Sequence, residues 1–84
     1  MDKTYNGHKN WNCWNVSLWI DNEYSLYKLL QYKLKHTSMS YDDIAVQMIS
    51  EIKSYFQSEI TPDGAPINFH TVREHLRGIK RNDY

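Results

Sequence analysis

Residues 40–57 read Ser40-Tyr41-Asp42-Asp43-Ile44-Ala45-Val46-Gln47-Met48-Ile49-Ser50-Glu51-Ile52-Lys53-Ser54-Tyr55-Phe56-Gln57, and this stretch decides the fold. Tyr41, Ile44, Ala45, Met48, Ile49, Ile52, Tyr55 and Phe56 recur at spacings of three and four, while Gln47, Glu51, Lys53 and Ser54 fall elsewhere. That period predicts an amphipathic helix with one wide apolar face. Ser40 can cap it, with Asp43 at the third position in place of the usual Glu or Gln. Asp42 and Asp43 also suit the positive end of the helix dipole.

Outward from this helix the chain punctuates itself. Thr61-Pro62-Asp63-Gly64-Ala65-Pro66 can only be a turn or loop. A last helix is expected over 68–80. Asn68 would be its N-cap, Ile67 and Val72 a hydrophobic staple, and Phe69, Val72, Leu76 and Ile79 its apolar stripe. Gly78 weakens its end, and residues 80–84 read as a fraying tail. Upstream, residues 36–39 make a short connection. Before it, Tyr27, Leu30 and Leu34, flanked by Leu26 and Leu29, predict a helix over 23–35, capped by Asp21 or Asn22. Lys28, Lys33 and Lys35 lie mostly off that stripe. In 11–20, Trp11, Trp14 and Leu18 fall at i, i+3, i+7, and Val16 and Ile20 at i, i+4. A short buried helix accounts for this, although Trp14, Val16 and Leu18 also alternate as in a strand. Residues 1–10, with Asn6-Gly7 as a turn signal, are expected to be a flexible arm. The expected architecture is an all-α bundle of four helices, at about 11–20, 23–35, 40–57 and 68–80. It would form a single domain over 11–84. The rival fold sets an N-terminal strand pair against helices.

Composition agrees with a small packed domain. The chain has 84 residues, and its three Trp, seven Tyr and two Phe let a short sequence build a core from large rings. Ten basic and ten acidic residues cancel. Such balance argues against a surface that tracks nucleic acid or anionic lipid over its whole extent, and leaves local patches and self-association open. A monomer or a homodimer is expected. The single cysteine, Cys13, can form no intramolecular disulfide. The first residues lack the apolar stretch of a secretion signal, and no apolar run is long enough for a bilayer. A cytoplasmic protein away from membranes is the expectation.

Chemistry-bearing residues are sparse. His8, His36, His70 and His75 share no pairing at helical spacing, so no metal is expected and four ordinary surface or cap histidines suffice. Cys13 reads as a small buried apolar group, not a nucleophile. Asp42/Asp43 and Asp21/Glu23 are explained by capping at least as well as by acid–base catalysis. The glycines at 7, 64 and 78 form no phosphate loop. No catalytic residues, no cofactor and no enzymatic activity are expected. Two features stand out as candidate partner surfaces. The first is a basic ridge on the last helix, where Arg73, Arg77, Lys80 and Arg81 recur opposite Val72, Leu76 and Ile79, with Glu74 the single acid. It could meet phosphates or an acidic protein surface, or be a solvated face whose cations suit a helix C-terminus. The second is the aromatic cluster of Trp11, Trp14, Trp19, Tyr24, Tyr27 and Tyr32. Two short helices can hardly bury all six, and Trp19 and Tyr24 are the candidate interface anchors.

The segment from Tyr5-Asn6-Gly7 through Asn10-Trp11-Asn12-Cys13-Trp14-Asn15-Val16-Ser17-Leu18-Trp19-Ile20-Asp21-Asn22-Glu23 resembles a pattern shared by small proteins of bacteriophages and other mobile elements. Their usual form is Tyr-Asn-Gly, then Asn-aromatic-x-Thr-Trp-x-Val-x-Leu-Trp-Ile/Leu-x-Asn-Asp/Glu. The opening Ile67-Asn68-Phe69 of the last helix is similar more loosely. Cys13 stands where the pattern has Thr, so any role of that hydroxyl is lost. The resemblance implies a mobile-element origin and a helical fold. Small phage proteins without catalytic motifs are often inhibitors of host defence, including CRISPR and restriction systems, and that association extends the implication to function. The expectation is an anti-defence, anti-CRISPR-like protein that occupies a surface of a host protein or ribonucleoprotein complex. The alternative is a small nucleic-acid-binding regulator using the basic C-terminal helix.

Overall fold

Asn10 starts the first helix: its backbone is extended and its side-chain Oδ1 accepts the Cys13 N–H at 3.0 Å. One of the donors that a helix start leaves open is thereby satisfied. α1 follows over Trp11–Asn22. The computed structural model describes residues 9–79, and all regular structure among them is helical. α1 buries Cys13, Val16 and Ile20, and also Asn15 and Ser17. A helix covered on more than one face has no clean polar side, which is why its spacing in sequence also admits a strand. No strand forms among the described residues, and the strand-pair alternative falls with it.

The junction with the next helix departs from expectation. α1 runs on through Asp21 and Asn22, so neither residue caps α2. The single extended residue Glu23 separates the two helices, with no side-chain capping bond. Its N–H closes α1 on the Trp19 carbonyl at 3.1 Å, and its carbonyl opens α2 by accepting the Tyr27 N–H at 2.9 Å. One residue thus serves both ends and no loop is needed. α2 spans Tyr24–His36 and buries Leu26, Leu30 and Leu34, spaced by four. Tyr27, expected within the buried stripe, lies at its exposed edge.

α3 covers Tyr41–Phe56, with Ser40 Oγ accepting the Asp43 N–H at 3.1 Å as its cap. It ends at Gln57 in the left-handed region (φ 52°). α4 covers Phe69–Arg77 and carries a complete reciprocal box. Asn68 Oδ1 accepts the Thr71 N–H at 3.0 Å, and Thr71 Oγ1 accepts the Asn68 N–H at 3.1 Å. The same four-residue frame, Asn-aromatic-x-Thr, opens α1 at Asn10-Trp11-Asn12-Cys13, where cysteine leaves only the Asn half of the box. Ile67 and Val72 are both buried in the one core, as a staple requires. The helix stops earlier than expected. Gly78 is its C-cap, and Ile79 N–H turns back to the Leu76 carbonyl at 3.0 Å, a tightened last turn. Lys80 and Arg81, placed on this helix from sequence, lie outside the described residues. So does most of the expected arm, but Lys9 and Asn10 are tied down, by Glu74 and by the α1 cap respectively.

α1 packs on α2 and α4, and α3 packs on the same two helices, so the four close a ring. Val16, Ile20, Leu30, Ile44, Met48, Ile52 and Leu76 fill its centre. Truncating one of these to alanine would cost about 2–5 kcal/mol. Between α3 and α4 the 61–66 turn folds on itself. Thr61 N–H donates to Ala65 O and Gly64 N–H to Thr61 O, each at 2.8 Å. Gly64 sits at φ 99°, where a side chain would be strained.

Candidate functional site

The molecule has two contrasting sides. On the first, formed by α1, α4 and the 61–66 turn, polar groups hold the protein to itself. Asn15 is buried in α1, 48 residues from Asp63, yet its Nδ2 donates to Asp63 Oδ2 at 2.9 Å. Its Oδ1 accepts the Thr61 hydroxyl at 2.6 Å, and that hydroxyl oxygen accepts the Ala65 N–H at 3.0 Å. Trp19 Nε1 donates to the same Asp63 oxygen at 3.0 Å. The bonds from Asn15 and then Trp19 hold the Asp63 carboxyl below the usual carboxylate range. Two side chains of α1 therefore clamp the turn. Trp19, a candidate anchor from sequence, is half-buried here, its indole edge-on to Phe56 at 5.7 Å between centroids.

The basic ridge of α4 lies on this side and is largely engaged within the chain. Arg73 pairs with Asp42 of α3 at 2.6 Å and stands over the Tyr41 ring at 5.4 Å. Tyr41 in turn donates its hydroxyl to the Ile79 carbonyl at 2.8 Å. Arg77 pairs with Glu74 at 2.9 Å, and Lys9 reaches the same carboxylate at 3.4 Å. Glu74 is only 12% exposed. Burial pulls its pKa up, but Lys9 and Arg77 together outweigh that and leave it below the ordinary value. Cys13 is fully buried beneath this cluster. Burial, then the Glu74 charge, pushes its thiol up, the opposite of what a nucleophile needs. His75 lies 3.5 Å from Asp21 with its side chain mostly covered. Among the described residues, no three His, Cys, Asp or Glu converge as metal ligands.

The second side is the outer face of α2. Because Leu26, Leu30 and Leu34 take the inner face, Tyr24, Lys28, Gln31, Tyr32, Lys35 and His36 line up outside at i, i+4, i+7, i+8, i+11 and i+12. They extend over roughly 18 Å of helix at 1.5 Å per residue. Tyr24 is 73% exposed and Tyr32 59%. Lys28 Nζ sits 5.9 Å over the Tyr24 ring, and His36 lies against Tyr32 at 5.1 Å with the planes 36° apart. The helix carries three lysines and no carboxylate. The nearest acid in sequence, Glu23, accepts the Tyr55 hydroxyl, whose pKa rises through that bond. A shallow groove of about 200 Å³ runs between Lys28, Gln31, Tyr32, Lys35 and His36. Other exposed apolar side chains, Val46, Ile60 and Phe69, sit on three different elements.

The sequence pattern of DUF7249, a family of unknown function, matches residues 1–80. The chain belongs to that family. No curated protein and no solved structure matches it. The DUF7249 match takes in both sides of the molecule, with Trp19, Tyr24, Arg73, Arg77 and Lys80 inside it and Arg81 just beyond. Of the residues singled out from sequence, Tyr24 stands on the open α2 face, whereas Trp19, Arg73 and Arg77 stand on the fastened side. Of the residues beside Tyr24 on that face, the sequence marks Tyr32 as a candidate only within six clustered aromatics, and Gln31, Lys35 and His36 not at all. Their signal was present, as tyrosines and lysines sharing the face opposite a leucine stripe.

Proposed function

We propose that this member of DUF7249 is a small binding protein of mobile-element type that inhibits a host macromolecule by occupying its surface, and does no chemistry of its own. The target class is a defence effector such as a CRISPR or restriction complex, met in the host cytoplasm, with the chain acting as a monomer or homodimer. One observation carries the reading: α2 spends its leucines on the core and turns two well-exposed tyrosines, interleaved with lysines, outward from a rigid helix. Tyrosines so placed lose little freedom on binding and anchor interfaces. The resemblance of residues 5–23 to small phage proteins supplies the mobile-element and inhibitor parts. A solvated helix would serve stability as well with Glu, Gln or Lys in place of Tyr24 and Tyr32, and with fewer exposed rings.

The test is capture from host lysate with tagged chain, with and without nuclease, alongside the Tyr24→Ala/Tyr32→Ala variant. A stoichiometric partner held by the parent chain and lost by the variant supports the reading. Capture of nothing, or capture indifferent to the variant, contradicts it. The second reading is a nucleic-acid-binding regulator, favoured by the three lysines that α2 carries with no carboxylate in its own sequence.

A further inference from the structure

We infer that the outer faces of α3 and α4 form a self-complementary surface on which two copies of this chain pair, Val46 of one against Ile49 of the other. This surface is distinct from the outer face of α2, so dimerisation and capture of a host partner can fail separately.

α3 and α4 run antiparallel. The start of α3 lies beside the end of α4, where the Tyr41 hydroxyl donates to the Ile79 carbonyl. The far end of α3 lies beside the start of α4, where the Ile67 N–H donates to the Glu59 carbonyl at 3.0 Å. Arg73 and Asp42 bridge the two helices. One turn along each helix from that bridge, roughly 6 Å, sets Phe69 level with Val46. Both are exposed, Val46 by 57% and Phe69 by 44%. Half-buried Ile49 continues the stripe one turn beyond Val46, and Lys53 ends it one turn later. Gln47 turns to the other flank of α3, where it accepts from Lys33 of α2 at 2.5 Å. The stripe therefore sits on the α4 flank, away from α2. The fold itself gives no reason for these two exposed groups. Valine is a poorer helix former than Glu, Gln or Lys, and Phe69 lies outside the core cluster.

The flanking charges indicate what covers them. Asp42 pairs with Arg73 at one end of the stripe, and Lys53 pairs with Glu59 at 3.8 Å at the other. A two-fold axis crossing α3 midway between Val46 and Ile49 lays the helix antiparallel on its copy. Val46 then faces Ile49 of the second copy, and Asp42 faces Lys53 of the second copy. Arg73 and Glu59 both lie toward α4, so they too face each other across the axis. Each end becomes a ring of four charges of alternating sign, around an apolar centre of Val46, Ile49 and Phe69. A parallel arrangement would set Asp42 against Asp42 and Lys53 against Lys53, which like-charge repulsion disfavours. Complementarity of a patch to itself is what a two-fold interface requires and what an unrelated partner does not. The ten basic and ten acidic residues leave no net charge to hold copies apart.

The test is sedimentation equilibrium of the intact chain from micromolar to millimolar concentration. A reversible monomer–dimer equilibrium is expected, weakened by added salt. Val46→Glu would bury an unpaired carboxylate at the centre and should weaken dimerisation by more than roughly tenfold. Two swaps test the register while keeping each pair within the chain. Asp42→Lys/Arg73→Glu reverses one end, and Lys53→Glu/Glu59→Lys reverses the other. Either variant alone sets like charges together at both ends of its dimer and should dimerise roughly tenfold or more weakly. Mixed in equal amounts, the two are complementary at both ends and should recover the dimer as a heterodimer. A loss of folding could not give that recovery, and circular dichroism of each variant checks that the helices persist. Tyr24→Ala/Tyr32→Ala should leave the equilibrium unchanged. Four results would overturn the inference: a chain monomeric even at millimolar concentration, a dimer indifferent to Val46→Glu or to the single-end swaps, no recovery on mixing, or a dimer lost with the α2 tyrosines.

Discussion

α2 and α4 are both short amphipathic helices with cations on their outer faces, yet the bundle uses them in opposite ways. On α4 the arginines turn back to the chain, Arg73 across to Asp42 and Arg77 along its own helix to Glu74. Together with the Asn15–Thr61–Asp63 clamp they fasten the fold. On α2 the outward row of tyrosines and lysines is exposed, and the helix itself carries no carboxylate. A basic stripe is therefore a poor guide to function until its counter-ions are located. The sequence shows the stripe. Only the tertiary fold shows whether Asp42, 31 residues away, has already claimed it.

That contrast can be broken by substitution. On the fastened side, changes should cost stability and leave the bound face intact. The largest effect is expected for Asn15→Ala, about 2–3 kcal/mol by urea unfolding. It removes one buried and one part-buried hydrogen bond and leaves the Thr61 hydroxyl without its acceptor. Trp19→Phe, which keeps the ring against Phe56 but loses the exposed bond to Asp63, should lower stability by less than Asn15→Ala does. If Asn15→Ala proves neutral in stability, the clamp has been misjudged.

The same clamp sets an acid dependence. Asp63 titrates lower in the folded chain than in the unfolded one, so on acidification the unfolded state takes up its proton first. Its stabilising contribution is thus present above the ordinary aspartate pKa and is lost as pH falls through the lower folded value. The gap in unfolding free energy between the parent chain and Asn15→Ala, followed from neutral pH into acid, should narrow without closing, because the Asn15–Thr61 bond does not titrate. A gap that stays constant to the acid end would show that Asp63 gains nothing from Asn15.

Cys13→Thr sharpens the comparison of the two helix starts. Threonine at this position should complete at α1 the reciprocal box that α4 already has, raising stability by about 0.5–1 kcal/mol in the same assay. A loss of stability would show that the buried site cannot hold a hydroxyl. The smallest effect belongs to the open side. Tyr24→Ala and Tyr32→Ala should each change stability by less than about 0.5 kcal/mol while abolishing capture of a partner.

How much of this was legible varies by element. α3 was, because its apolar residues keep one period from Tyr41 to Phe56 and Ser40 has the chemistry to cap its start. α4 was legible at its start, where Asn68 and Ile67 carry local rules, and less so at its end, where Gly78 closes the helix before Lys80. The α1–α2 junction was not. Asp21 and Asn22 have cap chemistry, but Glu23 satisfies both helices through its backbone alone, which no side-chain rule reports. The clamp was not legible either, since Asn15 meets Thr61 and Asp63 only after α1 is buried. The open face of α2 was half legible. Its leucines pointed inward by period, but the exposure of Tyr27 and Tyr32 depended on which helices covered α2.

The most direct measurement of the difference between the two helices is capture of the host partner by two double variants, Tyr24→Ala/Tyr32→Ala on α2 and Arg73→Ala/Arg77→Ala on α4, with thermal unfolding recorded for both. Loss of capture with an unchanged melting temperature is expected for the first, and retained capture with a lowered melting temperature for the second. The reverse pattern would contradict the assignment of α2 as the face this protein turns toward its target.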